Sequence, residues 1–476
     1  MHTNIHVHLF SADHTPPPQL YYLLRGALHG PARDVLGLLG QHPATVAQLM
    51  ALDRSLNAFH FPWPQAFELA IKVAKGMEAG DLLLDLGGLI TMLTTVSRAT
   101  RAEVQDALGV DAQEQDLDML EHLLKRTLEL KAANHGLPFR DALCELVKKL
   151  YDAHEHHVQE LNDQGEEGRI SYSELWQAFS ASPGADTFKR VIVLSINFDE
   201  AFLDEDLPQL DSSPTLDIWA QIAETKTLVD QQSVPGQREI VPFLGIDPRG
   251  YSSADLLDLA QGQVGKDKLF KGIKLYPPMG VRVFNDKLMP LFRYCQDHGI
   301  PVLSHCSVGG AGLRGGYTNY ADWASPSDWQ DVLKMLATRN DRQGVFRLCL
   351  AHFDRLEQAN LGGQGGSTWC PEIVDLMSSY SQVDGVKVYT DVAFDTVNGT
   401  KKRKTYAKNV RYMQQHGLTG RVLFGSDWWN YLYECKDEQA FIDQLNIDDD
   451  DDCWWLGADF DAASNDFLRD VCAPLP

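Results

Sequence analysis

Cysteine is scarce in this chain of 476 residues. Eight cysteines occur, at positions 144, 295, 306, 349, 370, 435, 453 and 472, and no two of them form a Cys-x-x-Cys pair. Disulfide-built domains instead concentrate many cysteines in a short secreted chain. The sparse spacing favours reduced thiols, and it predicts a cytoplasmic protein without a disulfide framework.

Positive charge and long apolar runs are also in short supply. Lys and Arg number 42 against 66 Asp and Glu, so the formal net charge is −24. Nucleic-acid binding needs a basic face, so DNA and RNA are excluded as main partners. No charge-free run of about 18 apolar residues occurs, and the first residues lack the pattern of a secretory signal, so no membrane association is expected. The remaining composition, 44% hydrophobic and 23% charged, is that of a globular protein.

Short apolar runs that end in polar residues recur along the chain. Near-continuous apolar runs of this kind are typical of parallel strands that are covered on both faces. Amphipathic segments such as 286–299, 325–337 and 398–417 lie between several of them. Alternation of strand and helix eight times over predicts a (β/α)8 TIM barrel. The eight predicted strands are Ile5–Phe10, Val191–Ser195, Ile240–Gly245, Gly272–Tyr276, Pro301–His305, Phe346–His352, Val386–Asp391 and Arg421–Asp427.

The chain is too long for a plain barrel, which needs roughly 250 residues. Most of the surplus lies between the first two strands, where four segments with helical periodicity occur. We therefore predict a barrel formed by residues 1–10 and 187–476, with residues 11–186 as a helical insertion over its mouth. The four helical segments are 65–79, 81–99, 117–133 and 141–161.

Histidine and aspartate stand at the ends of several predicted strands. His6 and His8 are two apart on the first strand, so their side chains point to one face. His305 ends the fifth strand, His352 the sixth and Asp427 the eighth. Each of these alone is explained as a satisfied core residue, but polar residues at the carboxyl ends of barrel strands converge on one site. The five together predict a shared site.

These residue types predict a metal centre. Three histidines and one aspartate provide the nitrogen and oxygen ligands that Zn²⁺ favours, with room for a water molecule. A metal ion would bring the pKa of that water down to about 7 and make hydroxide available at neutral pH. The remaining histidine would serve as general acid and base.

The order His-x-His, Lys, His, His, Asp over strands one, four, five, six and eight resembles the amidohydrolase superfamily. Segments 272–277, 301–305, 351–352 and 424–428 resemble its amidohydrolase-related branch, which includes enzymes similar to aminocarboxymuconate-semialdehyde decarboxylase. The resemblance spans roughly residues 1–14 and 187–435. Residues 15–186 have no match in it.

The resemblance implies a role for each matching residue. His6, His8, His305 and Asp427 match the metal ligands, with Asp427 also a proton acceptor, and His352 matches the histidine that acts on water or substrate. Lys274 matches a position that is a carboxylated bridging lysine in members with two metals. A single Zn²⁺ is favoured here, with Lys274 as a cation for a substrate carboxylate or paired with an acid. A second metal with carboxylated Lys274 is the alternative.

Three functions remain open at this stage. The first is a metal-dependent hydrolase, in which hydroxide attacks a C–N or C–O bond of a small, anionic carbonyl compound. The second is a non-oxidative decarboxylase of a small aromatic acid that uses the same residues, and the third is a barrel that binds metal or ligand without catalysis. A homodimer is the expected state on base rates.

Further polar residues follow the strands, and helix capping or loop packing explains most of them equally well. Arg249 and Arg314 stand out because a carboxylate substrate needs a fixed bidentate donor. With Tyr276 they are the predicted substrate-binding residues. The weaker candidates for the mouth of the barrel are Asn197, Asp199, Asp247, Cys306, Asp391, Asp395, Trp428 and Trp429.

Overall fold

The structure of the chain is a computed structural model, and it describes residues 2–9, 171–197, 217–232, 238–307, 322–353, 369–393, 413–428, 437–445 and 457–475. The four predicted helices between residues 65 and 161 lie outside these ranges. The boundary of the insertion at residue 186 therefore stays a prediction.

Eight parallel strands form one sheet in the order of the sequence. Each predicted apolar run overlaps one of them, which confirms the TIM barrel fold. In register, Arg190 lies beside Glu239 and Phe243 beside Gly272, so consecutive strands pair directly. The strands are β1 Thr3–His8, β2 Arg190–Leu194, β3 Glu239–Ile246, β4 Gly272–Leu275, β5 Val302–His305, β6 Phe346–Ala351, β7 Val386–Asp391 and β8 Val422–Leu423.

Backbone contacts between the first and last strands close the sheet. The Ile5 amide donates to the Phe424 carbonyl at 2.9 Å, and the Asp427 amide donates to the His6 carbonyl at 2.7 Å. A parallel bridge between Val7 and Trp428 continues this pairing. Strand β1 thus lies between β2 and β8, and the eight strands form a closed barrel.

Helices connect the strands along the outside of the barrel. Predicted segment 286–299 contains one of them, and segment 325–337 contains a 3-10 turn at Pro326–Trp329 followed by another. The described helices are α1 Tyr172–Ala181, α2 Ile218–Gln232, α3 Ser253–Gln263, α4 Leu288–His298, α5 Gln330–Ala337, α6 Cys370–Ser379, α7 Glu438–Leu445 and α8 Gly457–Phe467.

Helix α1 precedes β2 and is the described part of the predicted insertion. Ser171 caps it, because the Ser171 side chain accepts from the Glu174 amide while Glu174 accepts from the Ser171 amide. Its Phe179 ring packs edge-on against Trp428 with the ring centroids 5.4 Å apart. This helix therefore packs against the segment that follows β8. None of the described helices has the length and apolarity needed to cross a membrane.

The barrel interior is filled by side chains rather than open. A Cβ atom on Gly272 would lie 2.4 Å from the Phe243 ring, so only glycine leaves room for that ring inside the barrel. Phe243 also contacts Phe467 at the end of α8. The side chain of Phe243 is completely buried.

Charged residues and the C-terminal helix cover the amino ends of the strands. Asp466 accepts from Tyr389 at 2.6 Å and from Lys387 at 2.8 Å, both on β7. The buried Arg347 on β6 donates to Asp470 at 2.6 Å. Helix α8 and the residues after it are therefore fixed to the barrel wall at the end opposite the predicted site.

Candidate active site

The predicted metal ligands and catalytic residues come from the carboxyl halves of strands or from the residues that follow the strands. His6 and His8 lie on β1, Lys274 on β4 and His305 at the end of β5. His352 and Asp427 follow β6 and β8. All six side chains are buried, with exposed fractions of 6% or less. Tertiary structure thus places residues from five strands at one end of the barrel.

Three of the four predicted metal ligands lie within ligand distance of one another. The Nε2 atoms of His6 and His8 are 3.2 Å apart. The Oδ1 atom of Asp427 lies 3.4 Å from Nε2 of His8 and 3.8 Å from Nε2 of His6. These groups could hold one metal ion.

The electrostatic surroundings keep both histidines neutral. Burial, followed by the charges of Lys274 and His352, holds the pKa of His6 well below its usual value. Burial also lowers the pKa of His8, with further contributions from His6, Lys274 and His352. A neutral imidazole has a lone pair, and only that form binds a metal.

The orientation of His6 is set by a carboxylate on the neighbouring side. Its Nδ1 atom lies 3.0 Å from Oδ2 of Asp391, the last residue of β7. Because His6 is neutral, Nδ1 carries the proton and donates to Asp391, which leaves the Nε2 lone pair facing His8 and Asp427. Asp391 is fully buried, and burial raises its pKa against the opposing effects of His352 and Lys274.

The spacing of the donor atoms fits a divalent cation. A tetrahedral zinc ion with ligands at about 2.0–2.2 Å places neighbouring ligand atoms roughly 3.3–3.6 Å apart. The separation of 3.4 Å lies within this range, and those of 3.2 and 3.8 Å lie within 0.2 Å of its limits. Two neutral imidazoles and one carboxylate also have the composition of a zinc or manganese ligand set.

His305 lies next to this group rather than within it. Its Nδ1 atom is 3.1 Å from Nε2 of His352, and its Nε2 atom is 3.1 Å from the Ser307 hydroxyl. The His352 ring is in turn 5.0 Å from the His6 ring between centroids. The role of His305 as a fourth ligand stays a prediction, and His352 contacts both His305 and His6.

Lys274 provides the cation of the site. Its Nζ atom lies 3.3 Å from Nε2 of His6 and 6.0 Å from the centre of the Tyr276 ring. Burial lowers the pKa of Lys274 to about 8, against the opposing effects of Asp391 and Asp427. An amine in this position can donate to a ligand bound beside the histidines.

Two site residues have left-handed backbone conformations. His352 has a φ of 67° and Asp427 a φ of 61°, and among the described residues no other non-glycine residue has a positive φ. Such conformations cost of order 1–3 kcal/mol and persist only where surrounding contacts hold them. His352 comes directly after β6, and Asp427 comes four residues after β8, so a left-handed turn precedes the loop at each position.

A hydrogen-bond network around Asn4 joins β1 to the segment that follows β8, next to the site. The Asn4 amide donates to the Ser426 hydroxyl at 2.8 Å and to Glu438 at 2.9 Å. The Asn4 carbonyl oxygen accepts from the amides of His6 and Ser426, both at 3.2 Å. Asn4 therefore fixes the histidine strand to the residue before Asp427. The sequence prediction did not include Asn4, because these contacts cross more than 400 residues.

The predicted substrate-binding residues differ in their surroundings. Tyr276 stacks on the His305 ring at 4.4 Å between centroids, which places it beside the site. Arg249 forms a bidentate ion pair with the buried Asp247, two residues before it. Arg314 lies outside the described residues. The structure thus brings Tyr276 to the site and gives Arg249 an internal carboxylate partner.

Gly425 allows the close packing of His6, and its replacement gives a first test. A Cβ atom at Gly425 would lie 2.6 Å from Cβ of His6 and 3.2 Å from Cβ of Ala393. We expect Gly425→Ala to displace His6 and to weaken metal binding by roughly 10–100-fold, as disturbance of a ligand's supporting contacts commonly does. Isothermal titration with Zn²⁺ measures the change.

The matched control is Gly262→Ala on α3. A Cβ atom there meets nothing within 4 Å, and alanine is the better helix former by about 1 kcal/mol. This variant should bind Zn²⁺ like the wild type. Equal affinities for all three proteins would contradict the close contact at His6.

Comparison with known proteins agrees with the resemblance noted in the sequence. Residues 252–453 match the model of the Amidohydrolase family, a stretch that is less than half of the chain and includes Lys274, His305, His352 and Asp427. This match and the closed eight-stranded barrel agree with the resemblance to the amidohydrolase superfamily. No curated protein sequence matches the chain.

Solved structures with similar barrels are distant in sequence. An uncharacterized TIM-barrel protein from Bordetella bronchiseptica is 14% identical, with a TM-score of 0.37 over 66% of this chain and 89% of its own. A probable 2-pyrone-4,6-dicarboxylic acid hydrolase from Acinetobacter baumannii, with citric acid bound, is 13% identical, with a TM-score of 0.35 over 62% and 88%.

A 5-carboxyvanillate decarboxylase from Novosphingobium aromaticivorans is also similar. It is complexed with manganese and 4-hydroxy-3-methoxy-5-nitrobenzoic acid. The identity is 12% and the TM-score 0.36, over 66% of this chain and 91% of the other.

Proposed function

We propose that this chain is a metal-dependent hydrolase that cleaves a C–N or C–O bond of a small carbonyl compound carrying a carboxylate. The convergence of His6, His8 and Asp427, with donor atoms 3.2–3.8 Å apart, is the observation that carries the proposal. Buried donors at this spacing from two strands are costly unless a cation or hydrogen bonds compensate them. A metal centre explains the whole group.

His6, His8 and Asp427 would hold the ion, and His305 is the candidate for a fourth ligand. An ion bound there supplies Lewis acidity toward the substrate carbonyl and toward water near neutral pH. One ion is favoured because the three grouped ligands surround a single point. Zn²⁺ is the proposed metal, since neutral imidazoles with one carboxylate suit it well.

Proton transfer in the proposed reaction falls to Asp427 and His352. The Asp427 carboxylate lies beside the two imidazoles and can accept a proton from water at that point. His352 Nδ1 lies 2.9 Å from the Ala393 carbonyl and donates to it, so Nε2, which lies 3.1 Å from Nδ1 of His305, would exchange the proton with the substrate. The left-handed backbone conformation of each residue sets the position of its side chain in the site.

Lys274 and Tyr276 are the proposed contacts for the substrate carboxylate. The Lys274 amine is the buried cation nearest the histidines among the described residues, and the Tyr276 ring covers His305. A charge-assisted hydrogen bond from a buried amine is stronger than one at the surface. The negative charge of the whole chain therefore does not prevent binding of an anionic substrate.

The same residues would also serve a decarboxylase, so the test must separate the two reactions. We propose to incubate the metal-loaded full chain with carboxylate-bearing lactones and amides and with aromatic acids. Acid release in a pH-stat reports hydrolysis of the lactones, chromatography of the released amine reports hydrolysis of the amides, and headspace CO2 reports decarboxylation. The hydrolase proposal predicts acid or amine release without CO2.

The variant His298→Ala is the matched control for this assay. His298 is on the exposed side of α4, where its ring bonds to the Tyr294 carbonyl, so the variant should retain full activity. CO2 release from the aromatic acids, without hydrolysis, would replace the proposal by decarboxylation. Metal binding without turnover of any compound would favour a non-catalytic binding barrel.

A further inference from the structure

Asp391 contacts two functional histidines through separate oxygen atoms. Its Oδ2 atom lies 3.0 Å from Nδ1 of His6, a proposed metal ligand. Its Oδ1 atom accepts from the backbone amide of His352 at 2.9 Å and from that of Ala393 at 3.1 Å. The carboxylate therefore contacts both a proposed metal ligand and the proposed proton-transfer residue. Asp391 itself is neither a proposed ligand nor a proposed proton-transfer group.

The contact with His6 decides which ring nitrogen faces the site. A carboxylate is an acceptor only, so the proton of neutral His6 stays on Nδ1 and the lone pair stays on Nε2. With the opposite tautomer, Nε2 would carry a proton toward His8 and Asp427. No metal binds to a protonated nitrogen, so the tautomer controls metal affinity.

The contact with His352 acts on the backbone. His352 has a φ of 67°, a conformation that non-glycine residues adopt only when other contacts hold it. Asp391 accepts from its amide, while the carbonyl of Ala393, two residues further along, accepts from its ring. Residues 391–393 thus fix both the backbone and the ring of His352.

We propose that Asp391 is a positioning residue that sets the tautomer of His6 with one oxygen and holds the left-handed turn of His352 with the other. This inference rests on the proposed function, because it assigns His6 to the metal and His352 to proton transfer. It makes metal affinity and the placement of the proton-transfer group depend on one side chain.

Two substitutions separate the two contacts. In Asp391→Asn, the amide oxygen can still accept from the His352 amide, but the NH2 group then faces Nδ1 of His6. His6 must accept that hydrogen bond, which moves its own proton to Nε2. We expect the Zn²⁺ affinity of the full chain to fall roughly 10–100-fold, with kcat at saturating Zn²⁺ reduced less.

Asp391→Ala removes both contacts. We expect the same loss of Zn²⁺ affinity and, in addition, a fall in kcat at saturating Zn²⁺ of at least about 10-fold beyond that of Asp391→Asn, because His352 is no longer held. Asp466→Asn is the matched control. It removes one acceptor oxygen and the negative charge that pair with Lys387 and Tyr389 on the same strand, at the far end of the barrel, so it should lower stability and leave both quantities unchanged.

A second measurement reads the His6 tautomer without metal. Long-range ¹H–¹⁵N spectra of the metal-free chain labelled at histidine distinguish protonation at Nδ1 from protonation at Nε2. The wild type should show Nδ1–H for His6, and Asp391→Asn should show Nε2–H, with the His6 signal assigned from its loss in His6→Asn. This reading holds even if Asp391→Ala fails to fold.

The outcomes distinguish the inference from the proposed function. If Asp391→Asn leaves the His6 tautomer and the Zn²⁺ affinity unchanged, the inference is wrong. The proposed function still holds in that case, provided that the wild type binds metal. A wild type that binds no metal contradicts the proposed function. The tautomer measurement alone then tests whether Asp391 sets the tautomer of His6. Equal losses in Asp391→Asn and Asp466→Asn would reduce Asp391 to a structural residue.

Discussion

Replacing His6 and His8 together with alanine is expected to abolish metal binding. The double variant loses both imidazole donors and leaves Asp427 as the last member of the grouped ligands, and one carboxylate does not hold zinc against water. We expect metal content to fall from about one ion per chain to near zero, and activity to fall by at least about 10³-fold. Metal analysis after dialysis, with turnover of the best substrate, measures both.

The control for this prediction is again His298→Ala, which removes one exposed imidazole and should retain metal and activity. The single variants add a finer test. His6 is oriented by Asp391 and touches Lys274, so His6→Ala should lose at least as much affinity as His8→Ala. A double variant that still binds about one ion per chain would show that other residues hold the metal.

Replacing His352 is expected to remove catalysis while leaving the metal in place. His352 is adjacent to the grouped ligands but is not one of them, and general acid–base groups contribute typically 10²–10⁴-fold. We therefore expect His352→Asn to lower kcat by roughly that factor at unchanged Zn²⁺ affinity. An unchanged kcat would remove His352 from the reaction.

The backbone at His352 allows a sharper version of this experiment. At a φ of 67°, glycine is unstrained whereas alanine carries a penalty of roughly 1 kcal/mol. His352→Gly should therefore be more stable than His352→Ala by about that amount, with activity lost in both. Urea unfolding of the two variants measures the difference, and the reverse order would show that the turn is not strained.

The barrel was predictable because its signal is local. Each strand is a short apolar run, and residues such as Val302 and Leu303 face covered surfaces on both sides of the sheet. The end of a strand was less predictable. The run that ends in Asp427 was predicted as a strand from Arg421, but β8 is only Val422–Leu423, since the chain turns toward β1 instead of continuing the ladder.

The candidate site was predictable as a set of residue types and not as a set of contacts. The alternation of His6 and His8 and the strand-end positions of His352 and Asp427 are visible in the sequence. Asp391 appeared only among many polar residues after strands, because nothing local distinguishes it. Its bond to His6 joins positions 385 residues apart and exists only once the barrel closes.

Closure of the barrel by β1 and β8 has a consequence for the timing of assembly. Asp427 follows His8 by about 420 residues, so the two histidines leave the ribosome long before the carboxylate that completes their group. At roughly 5–20 residues per second, the interval is about 20–85 s. During that time β1 has not yet paired with β8, and His6 and His8 lack Asp427 as the third ligand. The metal centre can therefore form only after residue 427 has been synthesised, and a bound ion would report that β1 and β8 have come together.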